Sequence, residues 1–231
     1  MKIKCRIIGF DLDGTLLNSE KHIAEHTREV LTRAIEQGIW ILPVTGRPLG
    51  GLPKEVVEFP GVQYAITANG ARIMEIQTGG CLYERLVPVK TAEQIMEIFS
   101  DYDALREVYY GGKGYAEAEE FSRVGEYMRS PQMAAYVRAT RTPVPDILQL
   151  IREKGQDTDK VQGVFKIDEE RTEARKRLEA VEGIEVTGAL SNNIEVNAAG
   201  VDKGNAILWF ADHLGIPHEE VAGFGDGNND I

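Results

Sequence analysis

Cysteine is scarce in this chain: Cys5 and Cys81 are its two thiols in 231 residues. They lie far apart and match no metal-ligand spacing, so they are expected as free thiols in a reducing compartment. No apolar run approaches the roughly 20 residues that a membrane-spanning helix needs. The start, Met1-Lys2-Ile3-Lys4-Cys5-Arg6, leads into the first expected strand without a signal-peptide pattern. There are no repeats and no low-complexity tracts. Positive charge is in deficit, with 26 Lys and Arg against 37 Asp and Glu and a net charge of -11. Such a surface repels nucleic acid and anionic lipid, so neither is expected as a partner. An anionic substrate would need local help from a metal or a few placed cations. These absences lead to the expectation of a cytoplasmic protein, monomer or homodimer. The 42% apolar and 27% charged content is ordinary for a packed core, and the length allows one large domain or two modest ones.

What is present begins with an apolar, β-branched run over 3–10, read as a buried strand, which ends in Asp11-Leu12-Asp13-Gly14-Thr15. Thr27, Val30, Leu31, Ala34 and Ile35 then recur at helical spacing, with Gly38 where a C-cap would sit. A second strand is expected over 39–44, a weaker helix over 54–58, and a third strand over 64–67 before the turn dipeptide Asn69-Gly70. Strand, helix, strand, helix, strand is the pattern of a parallel sheet covered by helices. The texture then changes. A hairpin is expected from 72–76 and 81–87, and a helix capped by Thr91 and Gln94 presents Ile95, Ile98, Phe99 and Tyr102. A second hairpin joins 108–110 to 115–118 across Gly111-Gly112-Lys113-Gly114. Further on, a helix is expected at 145–153, a strand at 161–167 and a charged helix at 169–181. Strand character returns at 194–197, a helix carrying Ile207, Phe210, Ala211 and Leu214 stops at Gly215-Ile216-Pro217, and 221–224 is a last strand. The expected architecture is α/β: a doubly wound, Rossmann-like parallel-sheet core formed by 1–81 and 188–231, with an α+β cap domain inserted over 82–187.

Four sites fall just past apolar strands or at a helix start: Asp11 with Asp13, Thr45, Lys203, and Asp226 with Asp230. In an open parallel sheet the strand C-termini share one edge, and ligands bind in the crevice there. Two crowded carboxylates repel each other and call for a cation or a shared proton. Mg2+ suits a site of one or two carboxylates completed by substrate phosphate. A nucleophile, an acid/base, a hydroxyl, a cation and metal ligands are the inventory of phosphoryl transfer, where catalysis is mostly positioning and charge stabilisation.

Taken together, the motifs resemble those of the haloacid-dehalogenase superfamily in its Cof-type phosphatase branch. The resemblance rests on Asp11-Leu12-Asp13-Gly14-Thr15, Val44-Thr45-Gly46-Arg47, Val201-Asp202-Lys203-Gly204 and Gly225-Asp226-Gly227-Asn228-Asn229-Asp230, in order across nearly the whole chain. Asn69-Gly70-Ala71 also resembles the branch's substrate-side loop. The resemblance implies that Asp11 attacks phosphorus and becomes a phosphoaspartate. It implies that Asp13 protonates the leaving oxygen and then deprotonates the hydrolytic water. Thr45, Gly46, Lys203, Asn69 and Asn229 would hold the phosphate side of the substrate. Asp11, Asp13 (through its main-chain carbonyl), Asp226 and Asp230 would serve an Mg2+ site, and a C2-type cap would exclude water and read the leaving group. The implied work is Mg2+-dependent hydrolysis of a small phosphorylated metabolite, a sugar phosphate or a phosphorylated cofactor. Phosphotransferase or mutase chemistry, a phospho-Asp switch and an inactive phosphate binder are the alternatives. Family members normally continue past the fourth motif with a helix, a strand and a closing helix. Since this sequence ends at Ile231, an exposed core edge beside that motif and impaired activity are expected.

Other motif readings are weaker. Asp-x-Asp alone is common in turns. Neither acidic run has the Gly at position six and Glu at position twelve of an EF-hand. His22-Ile23-Ala24-Glu25-His26 fits H-x-x-E-H, yet it sits at a polar helix start with no third ligand. Gly223-x-Gly225 lacks the third glycine of a dinucleotide fingerprint, and Gly111-Gly112-Lys113-Gly114 lacks the Ser or Thr of a P-loop. The expected cap carries the cations Lys113, Arg123, Arg129 and Arg138.

Overall fold

The computed structural model describes residues 4–188 and 190–227. Contacts divide the chain into two units, one of Met1–Glu84 with Val201–Ile231 and one of Arg85–Gly200. The first stretch carries β1 (Ile7–Asp11), α1 (Glu25–Glu36), β2 (Trp40–Val44), α2 (Lys54–Val57), β3 (Tyr64–Thr67), β4 (Arg72–Glu75) and β5 (Cys81–Glu84). The second unit carries α3 (Val89–Phe99), β6 (Ala104–Tyr110), β7 (Lys113–Glu117), α4 (Ala118–Ser122), α5 (Pro131–Thr140), β8 (Arg141–Val144), α6 (Ile147–Lys154), β9 (Lys160–Phe165), α7 (Asp168–Leu178), β10 (Ile184–Thr187) and β11 (Asn193–Ala198). The chain then returns to the first unit with α8 (Lys203–His213) and β12 (Val221–Phe224).

Among the described residues the first unit is a six-stranded sheet in the order β12-β1-β2-β3-β4-β5. β12, β1, β2 and β3 run parallel, and β4 and β5 extend the sheet antiparallel. Successive residues of β2 show why both faces are apolar. Leu42 and Val44 pack with Ile207, Phe210 and Ala211 of α8, whereas Ile41 packs with Leu31 of α1 and Val56 of α2. Helices therefore cover both faces, as a doubly wound sheet requires. Phe210 is fully buried and meets the rings of Trp40 (5.7 Å) and Tyr64 (5.3 Å). Strand order proceeds in one direction from β1 to β3, while β12 lies on the opposite side of β1. The chain thus leaves neighbouring strand ends on both sides of one crevice, the topological switch point.

Among the described residues the second unit is a six-stranded sheet in the order β10-β11-β9-β6-β7-β8, antiparallel except for the β7–β8 pair. Its α3 buries Ala92, Ile95, Met96, Ile98 and Phe99, with Phe99 edge-on to Phe165 of β9. The opposite sheet face has an apolar end, where Leu105 and Val164 pack with Ala134 and Val137 of α5. It also has a polar end. There Glu107, Gln162 and Glu195 stand in register on β6, β9 and β11, and Lys160 pairs with Glu195 at 2.9 Å. The β6–β7 turn is the two residues Gly111-Gly112, both with positive φ (54° and 78°), as a primed turn demands. The Asp159 carboxylate accepts both of their N–H groups.

Several expectations change in detail. The first strand begins at Ile7, and residues 4–6, expected within it, lie outside it. Thr91 does not cap its helix, because α3 already begins at Val89, whose N–H is taken by the Asp157 carboxylate at 2.9 Å, a cap supplied from 68 residues away. The segment 194–197 was expected in the core, yet β11 pairs with β9 and β10 in the second sheet. Alternation along one strand reveals a half-buried face but not which partner covers it. Phe210→Ala is expected to cost about 3–5 kcal/mol, the usual result of emptying a packed aromatic site, read as a lowered denaturant midpoint.

Candidate functional site

The Asp11-to-Thr15 segment leaves β1 as a tight turn. Leu16 N–H returns to the Asp11 carbonyl at 3.1 Å and Leu17 N–H to the Leu12 carbonyl at 2.9 Å. Leu12, Leu16 and Leu17 are buried and anchor this turn in the core. Gly14 takes φ +97°, and a Cβ there would lie 2.3 Å from Asp226 Oδ2. The missing side chain therefore lets the loop after β12 close on the loop after β1, where Thr15 Oγ1 also donates to Asp226 Oδ1 at 3.4 Å.

Lys203 opens α8, whose N-cap Asp202 accepts the Asn205 N–H at 2.6 Å. Burial leaves its side chain 5% exposed, and its ammonium reaches Asp11 Oδ1 at 2.5 Å. Thr45 follows β2, is 2% exposed and accepts the Arg47 N–H on its hydroxyl at 3.2 Å. The 68–70 turn is tied to that loop, with Asn69 N–H donating to the Thr45 carbonyl (3.0 Å) and Ala68 N–H to the Arg47 carbonyl (3.1 Å). Ala68, Asn69 and Gly70 all have positive φ, a strained run for the two that are not glycine. Asp11, Asp13, Thr45, Gly46, Asn69 and Asp226 thus lie at or just past strand ends of the first unit, and Lys203, the first residue of α8, meets Asp11 there. Asn229 and Asp230 lie outside the described residues.

The Asp13 side chain is held by cations. Arg47 approaches as a fork, Nε to Oδ2 at 2.9 Å and Nη2 to Oδ1 at 2.8 Å, and Lys21 Nζ adds a third donor to Oδ1 at 2.8 Å. Burial alone would raise this carboxyl. The Lys21 hydrogen bond and the Arg47 charge outweigh it and hold the pKa below the ordinary 3.8. Sequence reading missed Lys21, because no motif spacing marks it. Among the described residues, no group of three or more His, Cys, Asp and Glu side chains stands ready for a metal. The Asp13 carboxylate is held by its cations, while the Asp11 carboxylate meets Lys203 and the Asp226 carboxylate meets Thr15. His22 and His26 face Glu55 (3.5 Å) and Glu29 (4.0 Å) on the surface and form no zinc site. In the second unit Arg123 is shared by Asp103, Glu119 and Glu126. The buried cations there are Arg141 and Lys160, which the sequence did not mark.

Residues 8–231 match the family of haloacid dehalogenase-like hydrolases. The chain belongs to that family. Its curated relatives include the 5-amino-6-(5-phospho-D-ribitylamino)uracil phosphatase YcsE of Bacillus subtilis, 26% identical over 99% of this chain and 80% of the relative. They also include the HMP-PP phosphatase of Escherichia coli, 24% identical over 97% and 79%. Among solved structures, a haloacid dehalogenase-like hydrolase from B. subtilis superposes with a TM-score of 0.83 at 26% identity, over 97% of this chain and 84% of that one. The Cof-type resemblance of the motifs, the α/β fold and the hydrolase class of this chain accord with that membership. Among the described residues no helix is long and apolar enough to cross a membrane.

A lowered carboxyl pKa has a sign that can be read in stability. The ion-paired form of Asp13 stabilises the fold fully above about 3.8, the unfolded value, and that contribution is lost as pH falls through the folded value. Asp13→Asn is therefore expected to melt below the parent at neutral pH, with the gap closing below about pH 3.8. Thermal melts of both proteins from about pH 7 down to about pH 3 check this.

Proposed function

We propose that this haloacid dehalogenase-like hydrolase cleaves a small phosphate monoester through a phosphoaspartate on Asp11, with Mg2+ as cofactor. The observation that carries the reading is the Asp11–Lys203 pair at 2.5 Å, at the switch point of the sheet and beside the Thr45 hydroxyl's loop. Lys203 fixes the carboxylate rotamer and places a positive charge where phosphoryl oxygens would arrive. Thr45, the Gly46 backbone and Asn69 complete the phosphate side, with Asn229 proposed beside them.

The residues fit the metal. Glycine at position 14 lets the Asp226 carboxylate come against the turn that carries Asp11 and Asp13, and the donors gathered there are hard carboxylate and carbonyl oxygens. Asp11, the Asp13 carbonyl and Asp226 would hold Mg2+, with Asp230 supporting them. When bound, Mg2+ supplies charge neutralisation between the nucleophile and the phosphoryl group. In the first step an Asp11 oxygen bonds to phosphorus as the ester P–O bond breaks, and the leaving oxygen takes a proton from Asp13. In the second step Asp13 takes a proton from water, whose oxygen displaces Asp11 from phosphorus and releases inorganic phosphate. The cation clamp favours the ionised form of Asp13, which suits the second step. For the first step the carboxyl must acquire a proton against that bias.

The inserted unit is assigned the role of cap, reading the leaving group. The relatives named above are a 5-amino-6-(5-phospho-D-ribitylamino)uracil phosphatase and an HMP-PP phosphatase, which supports a small phosphorylated metabolite, a sugar phosphate or a phosphorylated cofactor, as the substrate class here. Transfer to a second acceptor rather than to water is the alternative, and free phosphate distinguishes the two. The test is phosphate release from para-nitrophenyl phosphate with Mg2+ and with EDTA. Turnover is expected with Mg2+, with a loss of at least about a hundredfold in Asp11→Asn, since the nucleophile is removed, and a comparable loss in Lys203→Met. Undiminished turnover in Asp11→Asn would remove the phosphoaspartate reading.

A further inference from the structure

Lys21 stands outside the motifs yet is built into the site. It lies in a turn closed by Asn18, whose N–H donates to the His22 carbonyl (2.9 Å) and whose carbonyl accepts the Lys21 N–H (2.9 Å). The Asn18 side chain accepts the N–H groups of Glu20 (3.0 Å) and His22 (2.9 Å). Glu55 holds the exit of the turn by accepting the Ile23 N–H at 2.6 Å. Inside this frame Lys21 takes φ +64°, the left-handed region that costs a non-glycine residue roughly 1 kcal/mol or more. The frame thus imposes a strained backbone on a lysine and delivers its ammonium to Asp13.

Stability does not account for the arrangement. The Lys21 side chain is 60% exposed, and ion pairs at that exposure contribute little to folding. Its geometric effect is specific. The Arg47 fork fixes the plane of the Asp13 carboxylate but allows it to swing with the fork, and Arg47 is itself tied to the Gly51 carbonyl at 3.1 Å. A third donor on Oδ1, from the opposite side of the sequence, removes that freedom. We propose that Lys21 is a positioning residue for Asp13, and that Asn18 through Lys21 form the frame that sets the acid/base carboxylate against the Arg47 fork. This rests on the function proposed above, in which Asp13 moves the proton.

The experiment measures kcat and KM for para-nitrophenyl phosphate with Mg2+ in the parent, Lys21→Ala and Lys21→Arg. Lys21→Ala is expected to lower kcat about tenfold, part of the 10²–10⁴-fold that a positioned acid/base supplies, with KM within about twofold. Lys21→Arg is expected to recover kcat to within about threefold of the parent, because its longer, planar head fits the turn less well but keeps the charge and a donor for Oδ1. An unchanged kcat in Lys21→Ala overturns the proposal. So does a raised KM with kcat preserved, which would make Lys21 a ligand of the substrate phosphate. If the parent releases no phosphate, or Asp11→Asn remains active, the functional reading fails on its own. The frame is then decided by the 13C resonance of the Asp13 carboxyl in the parent, Lys21→Ala and Lys21→Arg. A shift in Lys21→Ala that Lys21→Arg restores is expected; an unmoved resonance means that Lys21 does not place the carboxylate, and the proposal falls.

Discussion

The ion pair of Lys203 with Asp11 joins residues 192 apart in sequence and makes the two ends of the chain one structure. Both charges are nearly withdrawn from water, at 5% and 11% side-chain exposure. Neither is tolerable there alone, since an uncompensated buried charge costs several kcal/mol. The pair depends on the placement of two backbones. β1 must end at Asp11, and α8 must begin at Lys203, which its Asp202 cap ensures. The rest of the first unit serves that placement: glycine at position 14 for the close approach of the β12 loop, and the apolar inner face of α8 to dock it on the sheet.

The second carboxylate obeys a different logic. Asp13 is two residues from Asp11 in the chain, and if the two shared one cation their repulsion would work against both. Each instead has its own, Lys203 for Asp11 and Arg47 with Lys21 for Asp13. Separate partners give two acids at one sheet edge different environments, which the proposed division into a nucleophile and a proton carrier requires. The second unit repeats the theme without the chemistry. Its buried charges are paired too, Lys160 with Glu195 on the neighbouring strands β9 and β11, and Arg141 of β8 with Glu107 of β6 across the intervening β7.

How much of this could be read beforehand differs by residue. Asp11, Thr45 and Lys203 were legible because each follows or opens a regular element, and the crevice rule for parallel sheets then brings distant residues together. The 64–67 and 221–224 strands were legible to the residue, bounded as they are by turn chemistry. Lys21 was not, since its role comes from a five-residue turn whose hydrogen bonds leave no periodic trace. The capping of α3 by Asp157 was hidden because a cap offered from 68 residues away has no local pattern. The partner choice of β11 was hidden for the same reason. α5 was missed although Ser130-Pro131 is a helix-start signal, and the Ser130 hydroxyl does accept the Met133 N–H.

The order β12-β1-β2 also has a consequence for how the protein is made. β1 is synthesised before the whole inserted unit, whereas its partner β12 and the helix α8 that packs beside it are encoded after it. At the ~5–20 residues per second of synthesis, the stretch from 85 to 200 keeps them apart for ~6–23 s. Hairpins such as β6–β7 form in ~1–10 μs, so local structure in the insert can assemble many times over in that interval. Through it the incomplete sheet carries an apolar face without α8 and one edge of β1 without β12. The interval is a window for mispairing, closed only when α8 and β12 have been made.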